Sequence, residues 1–537
     1  MNEQCRTTIL PRLREPKPEM QLGAINHDVS AVLIGKRTGH HHSRCGNKNQ
    51  QQQKFHIPAY RIIPKNTIFW LKLSAFIGEI SLIWSGNQGE PIGKGANRTQ
   101  REPNTACMEL KSKFVFECID CGEQYLPGQI MYLCPACSKQ NHAAAPPQGV
   151  LKVLYDYHRL KQGLSGIRKG YRDLKLDGFL PLLPIRTMES LPPLRVGNTP
   201  LYRFDRLLEK EFPFRLFLKD DSQNPTFSFK DRASALVSAF ARENNLKTIV
   251  AASTGNAGSS IAGICASQGQ DAVVLVPENA PRGKLAQIMM YGACIVPVKG
   301  TYDDAFELSL QATERFGWYN RNTAFNPLTV EGKKTVAFEL FEQMEWKVPD
   351  RIFVSVGDGV IISGVYKGYE DMLRIGLTDH MPVVVAVQAS GSDNLSRNLD
   401  VPIFQSRASK TIADSISVDV PRNFFMARQF LHRYGGETVT VSDEEILQAS
   451  SMLAARTGLF AEPASAAAFA GMLSYAKEGK ISSSSDNVVL LTGSGLKDLQ
   501  SVSGILDMPR AIEPVLDELS RLRELHRTRT LAKRSRN

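Results

Sequence analysis

The stretch TIVAASTGNAGSSIAG, Thr248 to Gly263, decides the fold. Its opening, Thr248 to Ser253, is a β-branched run that reads as a buried strand. It turns through Thr254, Gly255 and Asn256 straight into small residues that continue to Ala262 and Ala266 as a helix. Glycines let backbone N–H groups approach an anion, and a helix N-terminus favours negative charge, so this turn suits a carboxylate. Taken alone, it is equally an ordinary strand-to-helix turn.

Outward from this unit the alternation repeats. Arg215 to Lys219, Ala272 to Pro277, Cys294 to Val298, Arg351 to Val356, Val383 to Gln388 and Asn487 to Leu491 read as buried strands. Asp303 to Arg315 and Gly332 to Met344 carry apolar residues at helical spacing. Repeated strand–helix units imply an α/β fold of mostly parallel sheets with helices on both faces. Ligands in such folds sit beyond the strand C-termini, so the loops there are the place to look for chemistry.

Three more loops qualify. In DDSQNPTFSFKDR, Asp220 to Arg232, Pro225 holds the chain extended and Ser228 with Asp231 forms an S-x-x-D capping signature. Lys230 then falls in a first helical turn, where the dipole and apolar neighbours disfavour an ammonium and favour a nucleophilic amine. A lysine by itself is usually a solvated charge, and its company is what singles this one out. In VGDGVIISG, Val356 to Gly364, the backbone around Gly357, Asp358, Gly359, Val360 and Ile361 could cradle a phosphate. No G-K-[ST] follows, so this is not a Walker loop, and the dinucleotide fingerprint is incomplete. In LLTGSGLKD, Leu490 to Asp498, the hydroxyl of Thr492 could meet a ring nitrogen.

A lysine, a carboxylate cradle, a phosphate cradle and a terminal hydroxyl, in this order, resemble the fold-type II pyridoxal-phosphate enzymes, and within them the threonine synthase group. The resemblance runs from about Val196 to Ser501 through VGNTPL (Val196 to Leu201), NPTFSFKDR (Asn224 to Arg232), STGNAGSS (Ser253 to Ser260) and TGSGLKD (Thr492 to Asp498). It implies two doubly wound domains of the tryptophan synthase beta-like kind. It implies that Lys230 holds the cofactor as a Schiff base and shuttles protons, and that Asn256 bonds the cofactor's phenolic oxygen. Gly357 to Ile361 would hold its phosphate, and Thr492 would face its ring nitrogen. Ser253 and Thr254 would hold the substrate carboxylate, and Lys284 a substrate phosphate. The implied reaction takes O-phosphohomoserine and water to threonine and phosphate.

The chain departs from that group at the substrate's phosphate. An arginine follows an Asn-Pro pair there by two residues; here Asn326-Pro327 lead to Leu328 and Thr329, and a hydroxyl is a poor substitute for a guanidinium fork. Arg282 or Lys333 could compensate. Otherwise the enzyme performs β-replacement or β-elimination on another amino acid, as cysteate synthase-like enzymes and serine/threonine dehydratases do, or it keeps fold and cofactor with altered chemistry. Asp358 also places a carboxylate in the phosphate loop, where it must face away from the phosphate.

Upstream, Cys118-Ile119-Asp120-Cys121 and Cys134-Pro135-Ala136-Cys137 are two CxxC knuckles about a dozen residues apart. They match a four-thiolate zinc ribbon, and four thiolates leave no open position, so a structural zinc is expected. Of the nine cysteines, the other five are scattered, and no secretory signal opens the chain, which points to a reducing, cytoplasmic setting. The formal charge is +11, but about +8 precedes Met108 and about +4 follows Pro509, leaving the middle near neutral. Nucleic-acid binding is therefore not expected of the body. A zinc-ribbon protein with basic arms remains the competing class, and it requires salt-sensitive nucleic-acid binding that survives loss of Lys230.

The expected organisation is a low-order extension over residues 1–107, a ribbon over 112–142, a linker and lead-in over 143–192, a catalytic region over 193–508 and a basic tail over 509–537. Ile68 to Trp84 is apolar but interrupted by Lys72 and Glu79 and too short to span a bilayer, so no membrane association is expected. Met108 is a candidate translation start. The expected partner is a small amino-acid substrate, and such a body allows a homodimer.

Overall fold

The computed structural model describes residues 112–206, 211–280, 282–506, 509 and 511–520, without the side chain of Lys284. The expectations for residues 1–107 and for 521–537 lie outside the described residues.

Thirteen strands, β1 to β13, form three sheets among the described residues. β1 (Phe114–Cys118), β2 (Gln124–Tyr125) and β3 (Leu151–Tyr155) make a small antiparallel sheet in the order β2-β1-β3. β6 (Thr248–Ala252), β7 (Asp271–Pro277), β8 (Cys294–Val298) and β9 (Tyr319–Asn320) make a parallel sheet in the order β8-β7-β6-β9. The third sheet has the order β12-β11-β10-β13-β5-β4. It contains β4 (Leu201–Arg206), β5 (Glu211–Asp220), β10 (Arg351–Ser355), β11 (Val383–Ala389), β12 (Glu437–Val441) and β13 (Asp486–Leu491), all parallel except the edge pair β4–β5.

The central strands have the composition such a sheet demands. In β10, β11 and β13 the run is apolar without alternation and nearly every residue is buried, because helices cover both faces. The helix Lys230–Glu243 is buried almost all round, as expected of a helix with no solvent face. The helix Pro463–Lys477 begins on a proline, whose fixed φ and missing N–H suit a first helical position, and its alanines let it lie close to the large sheet.

One expectation changes. Gly332 to Met344 is two helices, Leu328–Lys333 and Thr335–Gln343, with Lys334 between them; Thr335 Oγ1 donates to Gly332 O over 2.9 Å at the break. The segment 143–192, read as linker and lead-in, carries β3 and two helices, Tyr157–Gln162 and Ile167–Leu176. Its Tyr155 and Tyr171 are buried in the main core, and their hydroxyls donate to Glu331 and to Phe338 O. Aromatic side chains at irregular spacing carry that packing, so no periodic signal announces it.

Candidate active site

The chemistry-bearing loops leave the C-terminal ends of β5, β6, β10 and β13. After β5 the chain is fixed by its own polar side chains. Asn224 Oδ1 accepts from Gly197 N–H at 2.8 Å, and Thr199 Oγ1 donates to Asp221 at 2.7 Å. Arg232 Nε donates to Asp221 at 2.6 Å, and both its terminal nitrogens reach Glu339. These bonds tie VGNTPL to the lysine loop and account for those residues as scaffold. The capping expected of Ser228 does not form. Asp231 instead accepts from Thr226 N–H at 2.7 Å and from Thr226 Oγ1 at 2.5 Å, and Ser228 Oγ is buried with no partner among the described residues.

This anchoring presents Lys230 at the first position of its helix, half-buried, with no hydrogen bond from its amine to any described residue. Burial lowers its pKa; Glu462 and Asp358 oppose that, and Arg321 adds to it. The side chain lines a cleft with Lys333, the Gly357–Ile362 turn and Thr492. Gly359 sits at φ +84°, left-handed, where a β-carbon would also lie 3.0 Å from Ala427 Cβ. The helix Val360–Ile375 starts on it, so its first N–H groups face the cleft without intrahelical partners. Asp358 is held sideways: its carboxylate accepts from Arg422 N–H at 3.1 Å and its carbonyl from Asn423 N–H at 2.9 Å. It still lines the cleft, and burial raises its pKa. The N–H of Thr492 donates to Ser465 Oγ at 2.8 Å, and its hydroxyl makes no hydrogen bond among the described residues.

Asn256 opens its helix beside this cleft, and its Nδ2 donates to both carboxylate oxygens of Glu462, at 2.8 and 3.1 Å. Ser253 and Thr254 are half-exposed at the same helix end and are not part of the cleft wall around Lys230. Lys284 belongs to the helix Arg282–Met290, and its side chain lies outside the described residues. Thr329 is fully buried and its hydroxyl donates to Asn326 O at 2.7 Å, so position 329 offers the cleft no donor.

Sequence reasoning missed two groups. Glu462, buried and with its pKa raised by that burial, bridges Asn256 and the electrostatics of Lys230. Its signal was available: an acidic residue before Pro463, at the start of an otherwise small and apolar helix. Arg321 is 1 % exposed, and its Nη2 has no partner among the described residues. Its pKa falls to about 10, chiefly through burial. Nothing in the sequence around it marks it out.

At the other end of the described chain, the Sγ atoms of Cys118, Cys121, Cys134 and Cys137 all lie within 4.8 Å of one another, a set that could hold one metal ion. Cys121 and Cys134 approach to 3.8 Å. No helix among the described residues is long and apolar enough to cross a membrane.

The family described as pyridoxal-phosphate dependent enzyme matches residues 193–493. The chain is 36 % identical to threonine synthase of Methanocaldococcus jannaschii over 415 residues, 75 % of this chain and 98 % of that one. It is 34 % identical to threonine synthase of Methanosarcina acetivorans over 407 residues, 75 % of this chain and 97 % of that one. Among solved structures, the processed form of threonine deaminase isoform 2 from Solanum lycopersicum aligns with a TM-score of 0.52 at 20 % identity, over 64 % of this chain and 95 % of that one. That last likeness is one of fold.

Proposed function

Because the chain belongs to the pyridoxal-phosphate dependent enzyme family, we propose that it is a lyase of the threonine synthase kind, converting O-phosphohomoserine and water to threonine and phosphate. The residues present fit the cofactor. Among the described residues, an amine without a hydrogen-bond partner at Lys230, a glycine turn opening a helix at Gly357 to Ile361, and the unpartnered hydroxyl of Thr492 line one cleft. The observation that carries the reading is Lys230, unpaired and deprived of much of its hydration, in the same cleft as that turn.

In this reading Lys230 holds the cofactor covalently, Gly357 to Ile361 take its phosphate, Asn256 bonds its phenolic oxygen and Thr492 faces its ring nitrogen. Bound pyridoxal phosphate supplies the electron sink that stabilises negative charge on the substrate's carbons. The protein's own part is position and proton movement. Ser253, Thr254 and the helix end at Gly255 hold the substrate carboxylate. The amine of Lys230, its pKa lowered by burial, takes and returns the protons of the α and β carbons. A neutral hydroxyl at Thr492 cannot protonate the ring, so more of the task falls to that lysine. Glu462 holds Asn256 in place by accepting from its Nδ2.

The leaving phosphate needs a cation, and Thr329 supplies none. The guanidinium of Arg321 is suited to this: one nitrogen is unpaired, another donates to Thr323 Oγ1 on the cleft wall at 3.2 Å, and its charge is felt at Lys230. For the rest of the molecule, the four clustered cysteines are suited to a structural zinc, which metal analysis at one ion per chain would check, and a cytoplasmic setting goes with this reading. The assay that tests the central reading compares O-phosphohomoserine, threonine, serine and O-phosphoserine, following phosphate and α-keto acid together. Phosphate release with threonine formation from the first alone is expected. Keto acid from the unphosphorylated amino acids would overturn it in favour of β-elimination.

A further inference from the structure

Lys333 is 1 % exposed, lines the cleft of Lys230, and makes no hydrogen bond or ion pair with any described residue. A buried ammonium without an anion is costly, so such a group either loses its proton or awaits a partner. Burial, with Arg321 and Lys230 nearby, drives its pKa well below the ordinary lysine value. Its placement is tightly specified. A β-carbon on Gly364 would lie 2.7 Å from Lys333 Cβ, and one on Gly368 would lie 2.4 Å from Lys334 O. On the opposite side, a β-carbon on Gly332 would lie 2.2 Å from Arg232 O. Glycines thus let the short helix Leu328–Lys333 slot between the helices Lys230–Glu243 and Val360–Ile375. Lys333 ends up beside the opening turns of the latter.

Those opening turns carry the anion-binding features of the cleft. The N–H groups of the helix start and the Gly359 turn face it, and the dipole adds positive potential. Against them stands the carboxylate of Asp358, which also lines the cleft. A phosphate dianion placed there gains from the backbone and loses to Asp358; a cation opposite the turn restores the balance. The carboxylate-binding turn at Ser253 and Thr254 is not on this wall, whereas the Gly357 to Ile362 turn is.

We propose that Lys333 is a ligand of the cofactor phosphate, supplying by side chain the charge that a turn with only two glycines and an aspartate lacks. The assignment rests on the family reading, not on the choice of O-phosphohomoserine as substrate.

The test uses the full chain and titrates cofactor, with no substrate present. In Lys333→Met, which keeps length and removes charge, the dissociation constant for pyridoxal phosphate, read by visible absorption, should rise at least ~10-fold. Capture of pyridoxal, which lacks the phosphate, should change less than about 2-fold, and Lys333→Arg should recover part of the loss. Equal weakening of both cofactors would mean damage to the cleft and would overturn the proposal. An unchanged dissociation constant with a raised KM for O-phosphohomoserine would overturn it too, by moving Lys333 to the substrate's phosphate. Wild-type protein that captures pyridoxal phosphate but makes no threonine would remove the substrate assignment and leave the contrast between the two aldehydes as support.

Discussion

Lys333 and Lys334 are adjacent, equally buried and opposite in company. Lys334 Nζ lies 2.7 Å from Asp371 and bonds Glu331; Lys367 pairs with the same Asp371 at 2.5 Å, and Tyr155 and Tyr157 donate to the two carboxylates. Every charge there has a partner within the protein. One residue earlier, Lys333 faces a cleft and has none among the described residues. The difference separates two uses of a buried cation. A closed network fixes how helices pack, whereas an unpaired charge on a cleft wall is held for something that arrives.

The cleft side should break first and furthest. Lys230→Ala is expected to abolish the visible absorption of the lysine-bound cofactor and to lower turnover by about 10³-fold or more. The unfolding midpoint of the apo-protein should barely move, because the amine makes no hydrogen bond to lose. Parallel measurement of absorption, turnover and apo-stability checks this. A stability loss as large as that of a network lysine would erase the distinction.

The network side should fail the other way. Lys334→Met leaves Asp371 and Glu331 facing one cation fewer, and losing one partner of a buried pair costs about 3–5 kcal/mol. Denaturant unfolding should show that loss, and the refolded variant should bind pyridoxal phosphate within about 3-fold of wild type. A variant of unchanged stability would show that Lys334 is no more committed than its neighbour.

Acid and base sharpen the comparison. The pKa of Lys230 is lowered from 10.5, and only the unprotonated amine attacks an aldehyde. Cofactor capture should therefore rise with pH and level off with a midpoint below 10.5. Glu462 raises that pKa, so Glu462→Gln should move the midpoint further down. Stopped-flow capture between neutral pH and pH 10.5 checks both. In the network the sign is reversed. The two lysines hold the Asp371 carboxyl below its ordinary 3.8 despite burial. Its contribution to stability is thus complete above pH 3.8 and declines as pH falls through the lower folded-state value.

How much of this was legible follows from what each signal consists of. The parallel sheets were, because β10, β11 and β13 are apolar runs of strand length bounded by turns. β4 and β12 were not: they are sheet edges, half-exposed and rich in charge or threonine, and their patterns resemble loops. Lys230, Asn256, Gly357 and Thr492 stood out because each occupies a turn after a strand. Glu462, Arg321 and the commitment of Lys333 did not, since their character depends on what they lack. A missing partner is visible only once the chain has been folded around it. The same holds for Ser228, whose expected capping does not form because the carboxylate of Asp231 is taken by Thr226.

The smallest expected effect tests the most particular claim about the cleft. Thr329 stands four residues before Lys333 in one short helix, and its hydroxyl donates inward to Asn326 O at 2.7 Å. Asn326 O also accepts from Thr329 N–H at 3.1 Å, so it keeps a donor if the hydroxyl goes. Thr329→Val preserves shape and should cost only about 0.5–1.5 kcal/mol. If the phosphate of the substrate is held by Arg321, KM for O-phosphohomoserine should stay within about 2-fold, because the lost hydroxyl never faced the cleft. A several-fold rise in KM at near-wild-type stability would instead put that hydroxyl against the substrate. The anion would then lie on the 329–333 face of the helix, Arg321 would lose its role, and the contrast between Lys333 and Lys334 would have to be redrawn with the substrate's phosphate on the unpaired side.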